Sequence, residues 1–142
     1  MTFFVDANVL VYAAVGVSEH RDACLEVLYA IADGADGRTS VAVLEEVWHL
    51  QQSKRAGDLG TIAEDAYELF SPLLPVTDRA FAIALGHNAR RLGTNDRIHV
   101  GTCLDHEIDS IVTADRGFDG VRGIRRVDPL DAAARRRLLR TR

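Results

Sequence analysis

Short apolar runs alternate with longer helix-period segments along this sequence, and acidic residues stand where the runs give way to loop or helix. Asp6 follows Phe3-Phe4-Val5, Glu46 interrupts the apolar stretch Val41 to Val47, Asp96 opens a helical segment, and Asp115 comes just after Ile111-Val112-Thr113. Strands that alternate with helices pair in parallel, because a helical crossover returns the chain to the same end of the sheet. The expected fold class is therefore α/β, a mostly parallel twisted sheet of four to five strands with helices on both faces. All carboxyl ends of such strands share one edge, and the crevice beyond that edge gathers residues that are distant in sequence. Two carboxylates about 4 Å apart repel by roughly 4 kcal/mol at an effective dielectric near 20, so a cluster of them needs protons or a cation. A hard divalent ion such as Mg²⁺ takes oxygen ligands and answers that need.

The first strand is expected over Thr2 to Val5, and Asp6-Ala7-Asn8 then turns into the apolar stretch Val9 to Ala14. Ser18 is the expected N-cap of a helix with Ala23, Val27 and Ile31 on its apolar face, ended by Gly34 and Gly37. A brief strand at Arg38 to Ser40 leads into a helix over Val41 to Lys54, with Val43, Leu44, Val47, Trp48 and Leu50 at helical spacing. Further helices are expected over Leu59 to Phe70, from an Asp78 cap to Arg91, and from the turn Gly93-Thr94-Asn95-Asp96 to His106. Pro72 and Pro75 bracket an expected strand at Leu73 to Val76, a strand follows at Asp109 to Thr113, and a short edge strand at Gly123 to Val127.

A length of 142 residues with 47% hydrophobic content suits one domain with a real core. The expected division is a body over residues 1–130 and a basic C-terminal helix or tail of the same domain over 131–142. No apolar run approaches a membrane span and the N-terminus lacks a secretory pattern, which implies a cytoplasmic protein with no membrane partner. Cys24 and Cys103 fall in helical patterns without metal-ligand spacing and read as buried thiols. The net charge of −4 is uneven: residues 1–115 hold 8 basic and 18 acidic side chains, whereas residues 116–142 hold 9 basic and 3 acidic. Arg135, Arg136, Arg137 and Arg140 either contact a polyanion or solubilise a terminal helix.

Four segments, FFVDANVLVYA, TSVAVLEEVWHL, NDRIHVGTCLDHEIDSIVTADRGFD and GIRRVDP, stand in an order and at separations that resemble a PIN domain. They are similar in particular to the VapC-type toxins of bacterial toxin–antitoxin pairs, over residues 2–129. The resemblance implies an endoribonuclease that uses Mg²⁺ or Mn²⁺, an RNA substrate, a small cognate antitoxin and a homodimer. Transferred residue by residue, it makes Asp6, Glu46, Asp96 and Asp115 the catalytic and metal-binding set. The family spacing of six residues from Ser40 selects Glu46 over Glu45. Gly117 stands where many relatives carry another acid, and Asp119 is the candidate to replace it.

Asn8 and Thr113 lie two residues from Asp6 and Asp115, near enough to orient a carboxylate. His99, one helical turn beyond Asp96, can hydrogen-bond a phosphate or a carboxylate. Arg97 and Arg116 flank the acids and could draw in phosphates or form ordinary ion pairs. Each acid also has a local reading: Asp6 and Asp96 as helix caps, Asp115 as a turn residue. Two rivals in function remain open, an aspartyl-phosphate phosphatase or phosphotransferase with Asp6 as nucleophile, and a catalytically silent PIN-fold module that binds RNA or protein. Serine-nucleophile, P-loop and dinucleotide patterns are absent.

Overall fold

In the computed structural model, which describes residues 1–15, 17, 19–89 and 91–140, four short strands form one sheet. They are β1 (Phe3–Val5), β2 (Gly37–Arg38), β3 (Ser110–Val112) and β4 (Arg125–Val127), in the order β2-β1-β3-β4 with every neighbouring pair parallel. All residues of β1 and β3 are buried, so helices cover both faces of the sheet, as a parallel sheet requires. The helices are α1 (Ala7–Val15), α2 (Glu19–Ala32), α3 (Val41–Ser53), α4 (Ile62–Phe70), α5 (Asp78–Gly86), α6 (Thr94–Asp105) and α7 (Ala132–Leu139), with a 3-10 turn at Arg116–Phe118. The core joins Phe3, Phe4 and Val5 to Leu10, Val43, Val47, Ile111 and Phe118, all nearly or fully enclosed. Cys24 and Cys103 are free and buried within it.

The strand expected at Leu73 to Val76 is reduced to one parallel bridge between Leu74 and Ser40. Leu74 donates to the Thr39 carbonyl at 2.9 Å and accepts from Val41 at 3.1 Å, but Pro72 and Pro75 have no N–H with which to extend the ladder. Helix α5 is capped by Thr77 rather than Asp78, with the Thr77 hydroxyl accepting from the Ala80 N–H at 2.9 Å. It ends at Gly86 instead of Arg91, because His87 turns extended and its carbonyl is taken by Arg97. Helix α4 starts at Ile62 rather than Leu59, after Gly60 in a left-handed conformation. Gly37 belongs to β2 and does not end a helix: a Cβ there would overlap the Ile31 side chain and press on Phe3. The expected cap at Ser18 lies outside the described residues.

Helix α7 is docked on the body. Arg135 is buried, pairs with Glu26 of α2 at 2.9 Å and donates to the Pro129 carbonyl, while Leu138 is enclosed nearby. Arg137 lines a hollow with Met1, Arg125, Arg126 and Val127, alongside β4. Arg135 therefore neither solubilises the helix nor reaches a polyanion: it docks α7 on the body.

Helices α5 and α6 pack backbone against backbone at Gly101, where a Cβ would overlap the carbonyl oxygen of Ala80 and touch Ala84. Gly101→Ala forces the two helices apart and lowers stability by about 1–3 kcal/mol, the usual range for overpacking. Urea denaturation of the two proteins measures it; an unchanged midpoint would mean that the helices part without cost.

Candidate active site

The parallel pairing of β1 with β3 places the residues after both strands at one edge. Asp6 follows β1 and is 4% exposed. Its Oδ1 accepts the Ala7 N–H at 2.8 Å, and its Oδ2 accepts the Thr113 hydroxyl at 2.8 Å and the Asn8 amide at 3.3 Å. Asn8 also donates to Thr113 Oγ1 at 2.8 Å and accepts from the Ala114 N–H at 3.1 Å, while the Asp115 N–H donates to Thr113 Oγ1 at 3.1 Å. Asn8 and Thr113 thus lock the carboxylate of Asp6 and stitch the two strand ends together.

Ser40 caps α3, its Oγ accepting from the Val43 N–H at 3.2 Å, and so fixes where the helix that carries Glu46 begins. Glu46 faces the acids, whereas Glu45 lies round the helix on a separate apolar groove with Val41, Leu44 and Trp48. Asp96 sits in the first turn of α6, where the helix dipole favours a negative charge. Asp115 is at the rim and caps the 3-10 turn through the Gly117 N–H at 2.8 Å. Asp6, Glu46, Asp96 and Asp115 all line one pocket of about 290 Å³, together with Asn8 and Tyr12.

His99 lies beneath this pocket, 1% exposed, with its ring centroid 5.9 Å from that of Phe4. Its Nε2 is 3.5 Å from Glu46 Oε2 and 3.9 Å from Asp6 Oδ1. The histidine is thus enclosed against the carboxylates and does not present itself to solvent. Arg97 turns away and donates to the His87 carbonyl at 2.6 Å. Arg116 is exposed beside the rim. Asp119 does not enter the pocket, because Arg126 holds it at 2.7 Å. Sequence reasoning passes over Arg126, which also donates to the Thr113 carbonyl at 3.0 Å and so braces the loop behind Asp6; its place in a strand beside β3 is the signal for it.

Burial raises the pKa of Asp6, opposed by His99, the Thr113 hydroxyl and the Ala7 N–H. Burial also raises Asp96, to about 6, with Asp6, Asp115 and Glu46 adding repulsion and His99 relieving it. Burial works against a charged His99, yet Glu46, Asp6 and Asp96 together raise its pKa above the ordinary value. Glu46 Oε2 is buried without a hydrogen-bond partner among the described residues. One oxygen each from Asp6 and Glu46 and one nitrogen of His99 lie within 4.8 Å of one another. A set of crowded carboxylates with one oxygen unmet fits a hard divalent cation.

A family profile described as the PIN domain matches residues 3–124. The chain belongs to the PIN domain family. Two solved structures share its fold at low identity. One is VapBC2 from Rickettsia felis bound to a DNA fragment from their promoter, with a TM-score of 0.68, 16% identity, and coverage of 90% of this chain and 100% of the other. The second is VapC20 from Mycobacterium tuberculosis, described as a Sarcin-Ricin loop cleaving toxin, with a TM-score of 0.63, 18% identity, and coverage of 87% and 99%. No curated protein matches the sequence. The α/β architecture expected from the strand–helix alternation is thus the VapC-type PIN fold. Among the described residues no helix is long and apolar enough to cross a membrane.

The raised pKa of Asp96 has a consequence for stability. Its folded value of about 6 lies above the unperturbed 3.8, so ionisation penalises the metal-free fold as pH rises through that interval. Asp96→Asn removes the penalty and stabilises the protein at about pH 7.5 by about 1 kcal/mol, a figure reduced for solvent screening at this half-buried side chain. The gain disappears below about pH 4, where both forms are neutral. Urea titrations in chelator at the two pH values test this, and an equal gain at both would place its origin elsewhere.

Proposed function

We propose that this protein is a Mg²⁺- or Mn²⁺-dependent endoribonuclease, the toxin of a toxin–antitoxin pair acting in the cytoplasm. The observation that carries the reading is the convergence of Asp6, Glu46, Asp96 and Asp115 on one small pocket at the carboxyl edge of the sheet. These four carboxylates would hold the metal, with His99 beneath Asp6 and Glu46 to offset their charge. A bound divalent ion supplies there the positive charge that polarises a phosphodiester and activates water. Asp6 is fixed by three hydrogen bonds and offers a rigid ligand, whereas Asp115 at the exposed rim faces the side from which water and RNA arrive. The PIN family and the toxin description of VapC20 support this reading. Hydrolysis leaves a 5′-phosphate and a 3′-hydroxyl. Use of Asp6 as a phosphoryl nucleophile is disfavoured, since Asn8 stands where that chemistry usually carries a second Asp.

The apolar groove of about 540 Å³ between α3 and α4 is the proposed seat of an antitoxin segment. Trp48 and Tyr67 line it and remain 55% and 57% exposed, a large apolar area to leave in water. The VapBC2 assembly supports a protein partner for the chain. Helix α5 exposes Phe81 and Leu85 one turn apart, and we assign that face to the homodimer.

The expected result is that purified protein cleaves RNA with Mg²⁺ or Mn²⁺ and stops in chelator. Asp6→Asn and Asp96→Asn lower the rate by on the order of 10²–10³, and Thr113→Val by about 10–100-fold through the orientation of Asp6. Glu46→Gln is far more damaging than Glu45→Gln, and the reverse ranking would place the site on the other face of α3. Trp48→Glu releases the co-expressed operon neighbour during purification while cleavage persists; a complex that survives it removes the groove from the interface.

A further inference from the structure

Beside the acidic pocket lies a larger hollow of about 850 Å³, lined by His87, Arg91, Gly117, Asp119, Gly120 and Arg122. The two adjoin at Gly117, which lines the larger hollow while its N–H donates to Asp115 Oδ1, part of the wall of the smaller. A Cβ at Gly117 would come within 3.1 Å of Asp115 Oδ1 and 3.2 Å of Leu92, so the bare glycine keeps the junction open. The hollow is braced on both sides. His87 Nε2 lies 3.0 Å from the Arg122 carbonyl, and Arg97 donates to the His87 carbonyl at 2.6 Å.

The charges of the two hollows are opposite. Among the described residues, Asp119 is the one acid that lines the larger, and Arg126 already neutralises it at 2.7 Å. Arg91 and Arg122 are exposed and neither guanidinium has a hydrogen bond among the described residues, although Arg91 lies near enough to Asp119 to favour its charged form, after Arg126 and Arg116. A polyanion approaching four carboxylates needs cations close by, because salt screens charges more than about 8–10 Å away. Arginine forks suit phosphate oxygens. A volume of this size accommodates a splayed-out nucleotide beside the acidic pocket.

We propose that this hollow receives the single-stranded ribose-phosphate segment next to the scissile linkage, with Arg91 and Arg122 contacting its phosphates. The proposal rests on the nuclease reading and adds the place where substrate is gripped.

The test uses the full chain carrying Arg91→Gln and Arg122→Gln together, with a short mixed-sequence single-stranded RNA as probe. Binding is measured by fluorescence anisotropy in an Asp6→Asn background over a series of salt concentrations, and cleavage is measured with Asp6 intact. The expected result is about tenfold weaker binding, a log–log salt slope reduced by about 0.7 for each phosphate that is no longer neutralised, and a cleavage defect seen in KM rather than kcat. The melting temperature stays as it was. Arg136→Gln with Arg140→Gln on and beside α7 removes the same charge elsewhere and leaves binding intact. An unchanged salt slope, or an equal weakening in the α7 variant, overturns the proposal. If the parent cleaves RNA and the double variant binds like the parent, the hollow fails while the nuclease reading stands. If the parent binds without cleaving and the double variant weakens binding, the nuclease reading fails, and with it the scissile linkage, while Arg91 and Arg122 stand as RNA contacts. A parent that neither binds nor cleaves overturns both.

Discussion

Val5 and Val112 pair in the middle of the sheet, and the residues that follow them, Asp6 and Thr113, are delivered to the same edge although 107 positions separate them in sequence. The Thr113 hydroxyl then donates to a carboxylate that burial would otherwise drive toward its neutral form. A hydrogen bond to a charged acceptor contributes about 1.5–3 kcal/mol, enough to hold one rotamer of a short side chain. Asn8, Ala114 and Asp115 extend that bond into a closed circuit of hydrogen bonds across the two strand ends. Glu46 and Asp96 reach the same point from helices that pack on the sheet, so their positions are set by core packing and not by local sequence.

The basic excess near the C-terminus divides among separate tasks. Arg126 braces the loop behind Asp6, and Arg135 fastens α7 to α2 through Glu26. Arg137 lies alongside β4 in a hollow of its own, while Arg122 borders the hollow beside the acids. A count of charges along the chain cannot separate these uses, because it is blind to which end of a strand each residue occupies. The same blindness covers Arg97 and Asp119, which flank the acids in sequence but are turned to His87 and Arg126 in space.

Most of the architecture is legible in the sequence because its signals are local. Phe3 to Val5, Ser110 to Val112 and Arg125 to Val127 lie in or beside apolar runs, and Ser40 announces α3 by its capping oxygen. What escapes depends on partners. Leu73 to Val76 has strand-like residues, but two prolines leave it one bridge long. Gly37 looks like a helix stop until Ile31 and Phe3 are packed over it, and Asp78 looks like a cap until Thr77 turns out to bond both Ala80 and Asp105. Among the acids, the choice between Glu45 and Glu46 needs the rotation of α3, which the apolar positions Val43, Leu44 and Val47 define once they are buried. His99 is signalled by its spacing from Asp96, yet its depth beneath the carboxylates follows from the contact with Phe4 in β1.

The glycine at position 101 joins α5 to α6 with no side chain between their backbones. Helix α6 carries Asp96 and His99 on the inside, and α5 shows Phe81 and Leu85 to the outside. Close packing of this kind leaves little space between the two helices for any larger side chain. The outer face of α5 and the acidic pocket are thus separated by one closely packed helix pair, whose spacing is set at a single glycine.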